Sequence, residues 1–375
     1  MQFLPTHGGG KGLFMNVIYP STETQSGWKI LQNEYEMRTI GGMEPHLVEL
    51  FYKRHLNTFG GWDWGITVIR HGAIVEEFFC PFGVPGTTYS TWSCTKSFTS
   101  VAWGMLFEDS KNGLLPGGVK VGPESFAYDY IPQGFPLSDE RKKNIKIKHL
   151  LSMTSGLAGE MTKGIYGCPT DYKSGGPFEL ILGKCTSRKG IAVDKLTAEP
   201  ATVWDYSDVG FMHLAIMFHN ITGRQMSDYI RERIFEPIGI ESAHWDMSGG
   251  GKFLGPYPNV DGGLQMSVRD LARFGYLLLQ KGKWEEKQII PKDWIELATK
   301  TSQRLNPDYG YGFWTNEAGT LWPYLPKDAF ALMGHCCSKC YVIPSLDLVV
   351  ARLGTGPNNW FEYYLIGGIM ETIIT

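Results

Sequence analysis

Apolar residues run together at both ends of this chain and recur at helical spacing through its middle. Trp64 to Arg70 and Ala73 to Phe79 are two β-rich runs parted by His71-Gly72, a pair that predicts a two-residue hairpin. "KCYVIPSLDLVVARLG", Lys339 to Gly354, gives two more apolar runs around a Pro344-Ser345 turn. "HLVELFYKRHL" (His46 to Leu56) and the closing "WFEYYLIGGIMETII" (Trp360 to Ile374) have helical character. Between about Ser93 and Trp245 the strong signals are helical: "SFTSVAWGMLFED", "IKIKHLLSM", "GFMHLAIMFHNITG" and "MSDYIRERIFEPIG". Gly223 stops the third of these, and Pro237 with Gly239 closes the fourth.

This pattern predicts an α+β fold. Strands from the two chain ends form an antiparallel sheet flanked by helices, and an all-helical domain is inserted between them. The expected division is an N-terminal arm over 1–44, a sheet domain from 45–105 and 255–375, and a helical domain over 106–254. Ligand sites favour such seams, so the cleft is expected between the two parts.

Composition narrows the partners. With 375 residues the chain can bury a core without disulfide or metal support, and its net charge of −3 gives no electrostatic reason to expect nucleic acid. No run nears the roughly 18 apolar residues of a membrane span, and "MQFLPTHGGGKGLFMNVIYP" lacks the pattern of a secretory leader, so the expected location is cytoplasmic. Seven cysteines at irregular spacing argue for reduced thiols over a disulfide framework. "CCSKC" has no matching second pair of ligands, and His213 and His219 lie six apart on one helix, off a shared face. Neither metal nor cofactor is expected. The sequence leaves open whether the chain works alone or as a homodimer.

The chemistry begins at "YSTWSCTKSFTSVAW", where Lys96 follows Ser93 by three residues at the head of an apolar helix. Residues three apart share a helical face, so the amine can reach the hydroxyl. A lysine takes a serine proton only if burial or a nearby positive charge lowers its own basicity. Ser93 could equally be a helix cap, and S-x-x-K is common enough that spacing alone does not separate the two. Tyr206, just before a helix in "VWDYSDVG", is a candidate proton shuttle or a packed tyrosine with a bonded hydroxyl.

Longer blocks bear on the choice. "IKIKHLLSMTSGL", "YSDVGFMHLAIMFHNITGRQMSDYIRERIFEPIGI", "DGGLQMSVRDLARFGYLLLQKGKW" and "YGYGFW" follow one another over about 300 residues. In this order they resemble the signature blocks of the serine β-lactamase-like superfamily, nearest the class C β-lactamases, family VIII carboxylesterases and 6-aminohexanoate-dimer hydrolases. The resemblance implies Ser93 as the acylated nucleophile, Lys96 as its general base and Tyr206 as the tyrosine of the Y-x-N motif. Asp208 stands where that motif has the Asn that helps hold substrate, and is by the resemblance a candidate for that role; a carboxylate cannot donate the amide's hydrogen bond, which weighs against β-lactams.

The third motif, Lys-Thr-Gly in class C enzymes, is replaced by "MGHCCSKCYVIP", with His335 near the Lys position. His335 is a candidate for orienting substrate or a hydrogen-bonded structural residue. Counting back from the strand puts Ser338 where a backbone N–H would complete an oxyanion hole with that of Ser93. Trp62, Trp64, Trp92, Tyr166, Trp314 and Trp322 are candidates for an aromatic wall, and "GTLWPYLP" (Gly319 to Pro326) for a loop beside it.

The expected activity is serine hydrolysis of small esters or amides through an acyl-enzyme. The alternatives are a β-lactamase or D-Ala-D-Ala peptidase, and a catalytically silent binding protein.

Overall fold

A computed structural model describes residues 17–47, 49, 63–80, 83–165, 167, 169, 171–247, 257–355 and 360–374. Most of the helix expected over His46 to Leu56, the aromatics Trp62 and Tyr166, and Cys168 lie outside them.

From the N-terminal side come α1 (Glu34–Thr39), β1 (Trp64–Arg70), β2 (Ala73–Cys80) and β3 (Thr88–Ser90), then a 3₁₀ turn (Trp92–Cys94) that runs straight into α2 (Thr95–Lys111). The middle of the chain holds α3 (Ile147–Leu151), α4 (Glu160–Lys163), α5 (Pro177–Leu182), α6 (Asp208–Thr222) and α7 (Met226–Ile230), which continues through a π turn at Arg231–Phe235. Then follow β4 (His244–Trp245), β5 (Leu264–Ser267), α8 (Val268–Leu279), the hairpin of β6 (Lys283–Trp284) and β7 (Lys287–Gln288), and α9 (Lys292–Ala298). Finally come β8 (Trp314–Thr315), β9 (Phe330–Met333), β10 (Lys339–Ile343), β11 (Leu348–Gly354) and α10 (Trp360–Glu371).

The expected sheet is present: six antiparallel strands in the order β2-β1-β11-β10-β9-β8, with β1 from one end of the chain hydrogen-bonded to β11 from the other. His71 and Gly72 turn the first hairpin with φ of +52° and +75°, the left-handed pair a two-residue turn requires. Every residue of β1 and β11 is buried because both sheet faces are covered. Val349, Ala351 and Leu353 face a core shared with α2 and α8, whereas Leu348 and Val350 face one closed by Ile366 and Ile369 of α10. Phe98 of α2 stacks on Phe274 of α8 with ring centroids 3.8 Å apart, which fixes α2 over the sheet.

Small polar residues on α2 then tie the remote sequence blocks to it. The hydroxyls of Ser97, Thr99 and Ser100 donate to the carbonyls of Gly312, Val260 and Tyr311 at 2.6, 2.8 and 2.5 Å. The blocks containing Asp261 and Tyr309 are thereby anchored to the first two turns behind Ser93.

Candidate active site

Ser93 sits in the 3₁₀ turn just before α2, and the turn is locked from below. Thr91 Oγ1 donates to Leu264 O at 2.9 Å, and Leu264 N donates to Thr95 Oγ1 at 3.2 Å, so two threonines clamp the turn to β5. Trp92 adopts φ of +49°, an unusual conformation for a large side chain and one that recurs at functional sites. Ser93 itself remains partly open to solvent.

Lys96, one helical turn on, is 1% exposed and makes three contacts. Its Nζ donates to Ser93 Oγ at 3.0 Å and to the main-chain carbonyl of Asp261 at 2.8 Å, and it pairs with Asp208 Oδ1 at 2.5 Å. The predicted Ser–Lys contact is therefore present, but the expected electrostatics are reversed. Burial by itself pulls the ammonium toward losing its proton. The carboxylates of Asp208 and Asp261 and the hydrogen bond to Asp208 outweigh it, and Lys96 is held more basic than a free lysine.

Tyr206 and Asp208 reach this point because α6 starts between them. Ser207 caps the helix, its hydroxyl accepting from Gly210 N at 3.0 Å, and Asp208 occupies the first turn, where the helix dipole favours an anion. The Tyr206 hydroxyl lies near the Ser93 side chain, which acts to lower its pKa. Burial first, then the Asp208 carboxylate, push its pKa well above that of a free tyrosine, so at neutral pH it carries its proton. The Lys96 ammonium lies 5.0 Å from the Tyr206 ring centroid, a cation–π arrangement.

The cleft above Ser93 has a volume of about 410 Å³. Tyr206, Trp204 and Trp314 form an aromatic wall, with Trp314 stacked on Tyr206 at 6.2 Å and an interplanar angle of 16°. Opposite charges enter it from the two parts of the fold, Glu160 at the start of α4 and Lys339 at the start of β10. Burial, followed by Asp208, raises the Glu160 pKa. The Glu160 amide donates to Tyr206 O at 2.9 Å, which fixes this carboxylate beside the motif tyrosine.

Sequence reasoning placed His335 and Trp314 on this cleft, and both line it; the His335 ring packs edge-on to Trp92 at 5.4 Å. Two assignments need correction. Ser338 N donates to His335 O at 3.1 Å and its hydroxyl points to Ser90 O at 3.3 Å, so its amide closes the β9–β10 hairpin and is not free to face a substrate. The register is moved because that loop is a two-residue turn, and the segment that abuts Ser93 is Gly334–His335. A methyl group built on Gly334 would lie 3.1 Å from Ser93 N and 2.4 Å from Thr91 O, closeness that only glycine permits.

Asp208, expected to hold substrate, is absent from the cleft wall. It lies behind Lys96, with Oδ2 accepting from Gly167 N at 2.5 Å while Oδ1 faces the ammonium. Of the aromatic candidates, Trp64 and Trp322 are buried in the core instead, and the Gly319–Pro326 loop contributes no lining residue. Sequence reasoning missed Trp204, Glu160 and the buried Asp261, whose carboxyl pKa is raised by burial and by Asp208. Only the DGG at the head of a quoted block hinted at the last.

The fold has many counterparts among solved structures. EstCE1, described as a hydrolase with promiscuous acyltransferase activity, superposes with a TM-score of 0.65 at 16% identity, covering 88% of this chain and 98% of its own. A D-stereospecific amidohydrolase from Streptomyces sp. gives 0.58 at 15%, covering 86% and 98%. In sequence, the unguisins hydrolase ungD' of Aspergillus campestris is 28% identical over 163 residues, 43% of this chain. The matched stretches span only 28% to 51% of the first three relatives of this kind. The Beta-lactamase family model matches residues 66–365, which hold Ser93, Lys96 and Tyr206, and the chain belongs to the Beta-lactamase family.

Proposed function

We propose that this chain is a serine hydrolase that forms an acyl-enzyme on Ser93 and cleaves small carboxylic esters or amides. One observation carries the reading: at the floor of an open cleft, Ser93 Oγ lies 3.0 Å from Lys96 Nζ, with Tyr206 lining the same cleft. A serine placed this way beside a lysine and a tyrosine has both a proton acceptor and a donor in reach.

In the resting site Lys96 carries its proton, so the base is the Lys96–Asp208 pair. Asp208 takes a proton from the ammonium across 2.5 Å, and the neutral amine accepts the one from Ser93 as Oγ bonds to the substrate carbonyl carbon. The carbonyl oxygen becomes an oxyanion facing the amides of Ser93 and His335, the first at a helix start and the second beside Gly334. The Tyr206 hydroxyl protonates the departing alcohol or amine and is itself reprotonated from the lysine pair. Water then attacks the ester on Ser93 by the reverse proton path and releases the acid.

Asp208 favours esters and simple amides over β-lactams. Both its oxygens are engaged, and as an anion it has no hydrogen to give a substrate amide. The test is mass spectrometry of the intact protein after exposure to p-nitrophenyl esters, short amides and penicillins, alongside Ser93→Ala. A mass gain equal to the acyl group, in the parent only, is expected with esters. Acylation by penicillins alone would support the β-lactamase or peptidase alternative, and no acylation by any of them the silent one.

A further inference from the structure

We infer that Arg352 is a positioning residue for the oxyanion hole, acting through the Cys336–Cys337 turn. The inference rests on the proposal that Ser93 is acylated.

Strands β9 and β10 are joined by a turn of only two residues. Gly334 N donates to Ser338 O at 2.7 Å, Ser338 N returns the bond to His335 O, and Cys336 and Cys337 between them adopt φ of +54° and +59°. Both lie in the left-handed region, where such turns normally place Asn or Gly. The His71–Gly72 hairpin meets the same demand with one glycine. Here two cysteines meet it with none, and strain of this kind persists only where surrounding structure over-determines it.

The surrounding structure is Arg352. It rises from β11 opposite Lys339 in the ladder, is 1% exposed, and packs its guanidinium 5.4 Å from the Trp64 ring centroid. One nitrogen, Nη1, donates to both turn carbonyls, Cys336 O at 3.1 Å and Cys337 O at 2.7 Å. Charge-assisted bonds from a buried, planar donor hold both peptide units of the turn in one orientation. On the near side of that turn, Gly334 is pressed against Thr91 and Ser93 N. Wherever Arg352 fixes the turn, the amide of His335 follows, and with it the distance between the two oxyanion donors.

The experiment is Arg352→Lys, which keeps the charge but whose side chain, one atom shorter, cannot put a nitrogen where Nη1 lies, made both in the parent and in a Cys336→Gly/Cys337→Gly background, where the turn needs no external restraint. Turnover of p-nitrophenyl butyrate, affinity for phenylboronic acid as a mimic of the tetrahedral adduct, and thermal stability are read for each. In the parent background kcat is expected to fall about 100-fold with KM little changed, the loss of roughly one oxyanion donor. Boronate affinity should fall in step. In the glycine background the same change should cost less than about 5-fold, because the turn holds its shape unaided.

A chain that folds only in the glycine background, with near-parental boronate affinity there, supports the inference as well. Equal losses in the two backgrounds, unchanged kcat in the parent, or a failure to fold in both would overturn it and leave Arg352 a structural residue. Failure of a fluorophosphonate to label Ser93 in the parent protein would instead remove the acyl-enzyme reading, and this inference with it.

Discussion

Lys96 and Lys142 are both shut away from water in this fold, and their environments drive them in opposite directions. Lys142, between α2 and α3, is fully buried, donates to Ile181 O at 3.2 Å and sits 5.5 Å from the Tyr128 ring centroid. Burial dominates there, Asp194 and Asp139 compensate only in part, and its pKa falls to about 8. Lys96 is as deeply buried, but Asp208 lies against it and its pKa rises. Burial alone therefore does not make a catalytic base. The more easily deprotonated lysine has a carbonyl as its hydrogen-bond acceptor, and the lysine that touches a serine is kept charged by its partner. The two roles separate into basicity at Lys142 and connectivity at Lys96.

The sharpest way to break this contrast is at Lys96. Lys96→Ala removes the only contact that carries a proton away from Ser93 on the proposed path, and turnover should fall by about 10⁴-fold or more. Tyr206→Phe removes the proton donor to the leaving group but leaves the lysine pair, so the loss should be smaller, about 10²- to 10³-fold. Steady-state kinetics with p-nitrophenyl butyrate checks both. A Lys96→Ala protein with parental kcat would remove the lysine from the mechanism.

Asp208→Asn tests what keeps Lys96 charged. With the Asp208 carboxylate removed, burial is opposed chiefly by Asp261, and the Lys96 pKa drops as that of Lys142 does. The variant lacks the carboxylate that takes the ammonium proton, so Ser93 is activated only while Lys96 is neutral, and kcat/KM should rise with pH through the lowered Lys96 pKa, a rise the parent, working from the charged pair, does not show. The parent's pair would also be broken while Lys96 is charged, at a cost of about 3–5 kcal/mol at acidic pH that shrinks as the amine loses its proton. The melting temperature of the variant should therefore climb with pH relative to the parent. A variant whose pH profile matches the parent's would mean that Asp208 does not govern the lysine.

The sequence disclosed the contacts that lie close along the chain and hid those made across it. Ser93 and Lys96 are three apart, and His71-Gly72 is its own turn signal, so both were legible from spacing. The reversed basicity of Lys96 was not, because Asp208 and Asp261 arrive from the start of α6 and from the approach to β5. Tyr206 was legible only through the order of sequence blocks, since nothing local says that its ring will lie under Trp314. Ser338 was misplaced for a physical reason. Counting back along β10 gives the right strand, but a Cys-Cys pair carries no mark of a left-handed two-residue turn, and that turn decides which amide faces Ser93. Arg352 reads as one more charge in an apolar run until the ladder puts it beside the turn.

The other half of the contrast predicts an effect on stability. Lys142 has a folded-state pKa near 8 against 10.5 when unfolded, so between those values the unfolded chain binds more protons and stability rises with pH. The full rise attributable to this group is about 3 kcal/mol, absent below pH 8 and complete above pH 10.5. Lys142→Met keeps the apolar stem and removes the charge, so its stability should lack that rise. At pH 7 the gain from no longer burying an ammonium is reduced by about 1 kcal/mol for the partner lost by Ile181 O. The variant should still be more stable than the parent there by roughly 1–2 kcal/mol. Urea unfolding of both proteins from pH 7 to pH 10.5 covers the window in which this group titrates. The curves should converge as pH rises and then cross, the parent ending more stable by roughly 1–2 kcal/mol at pH 10.5. Curves that stay parallel would show that Lys142 keeps its proton in the fold, and the difference between the two lysines would then lie in their neighbours' chemistry and not in their basicity.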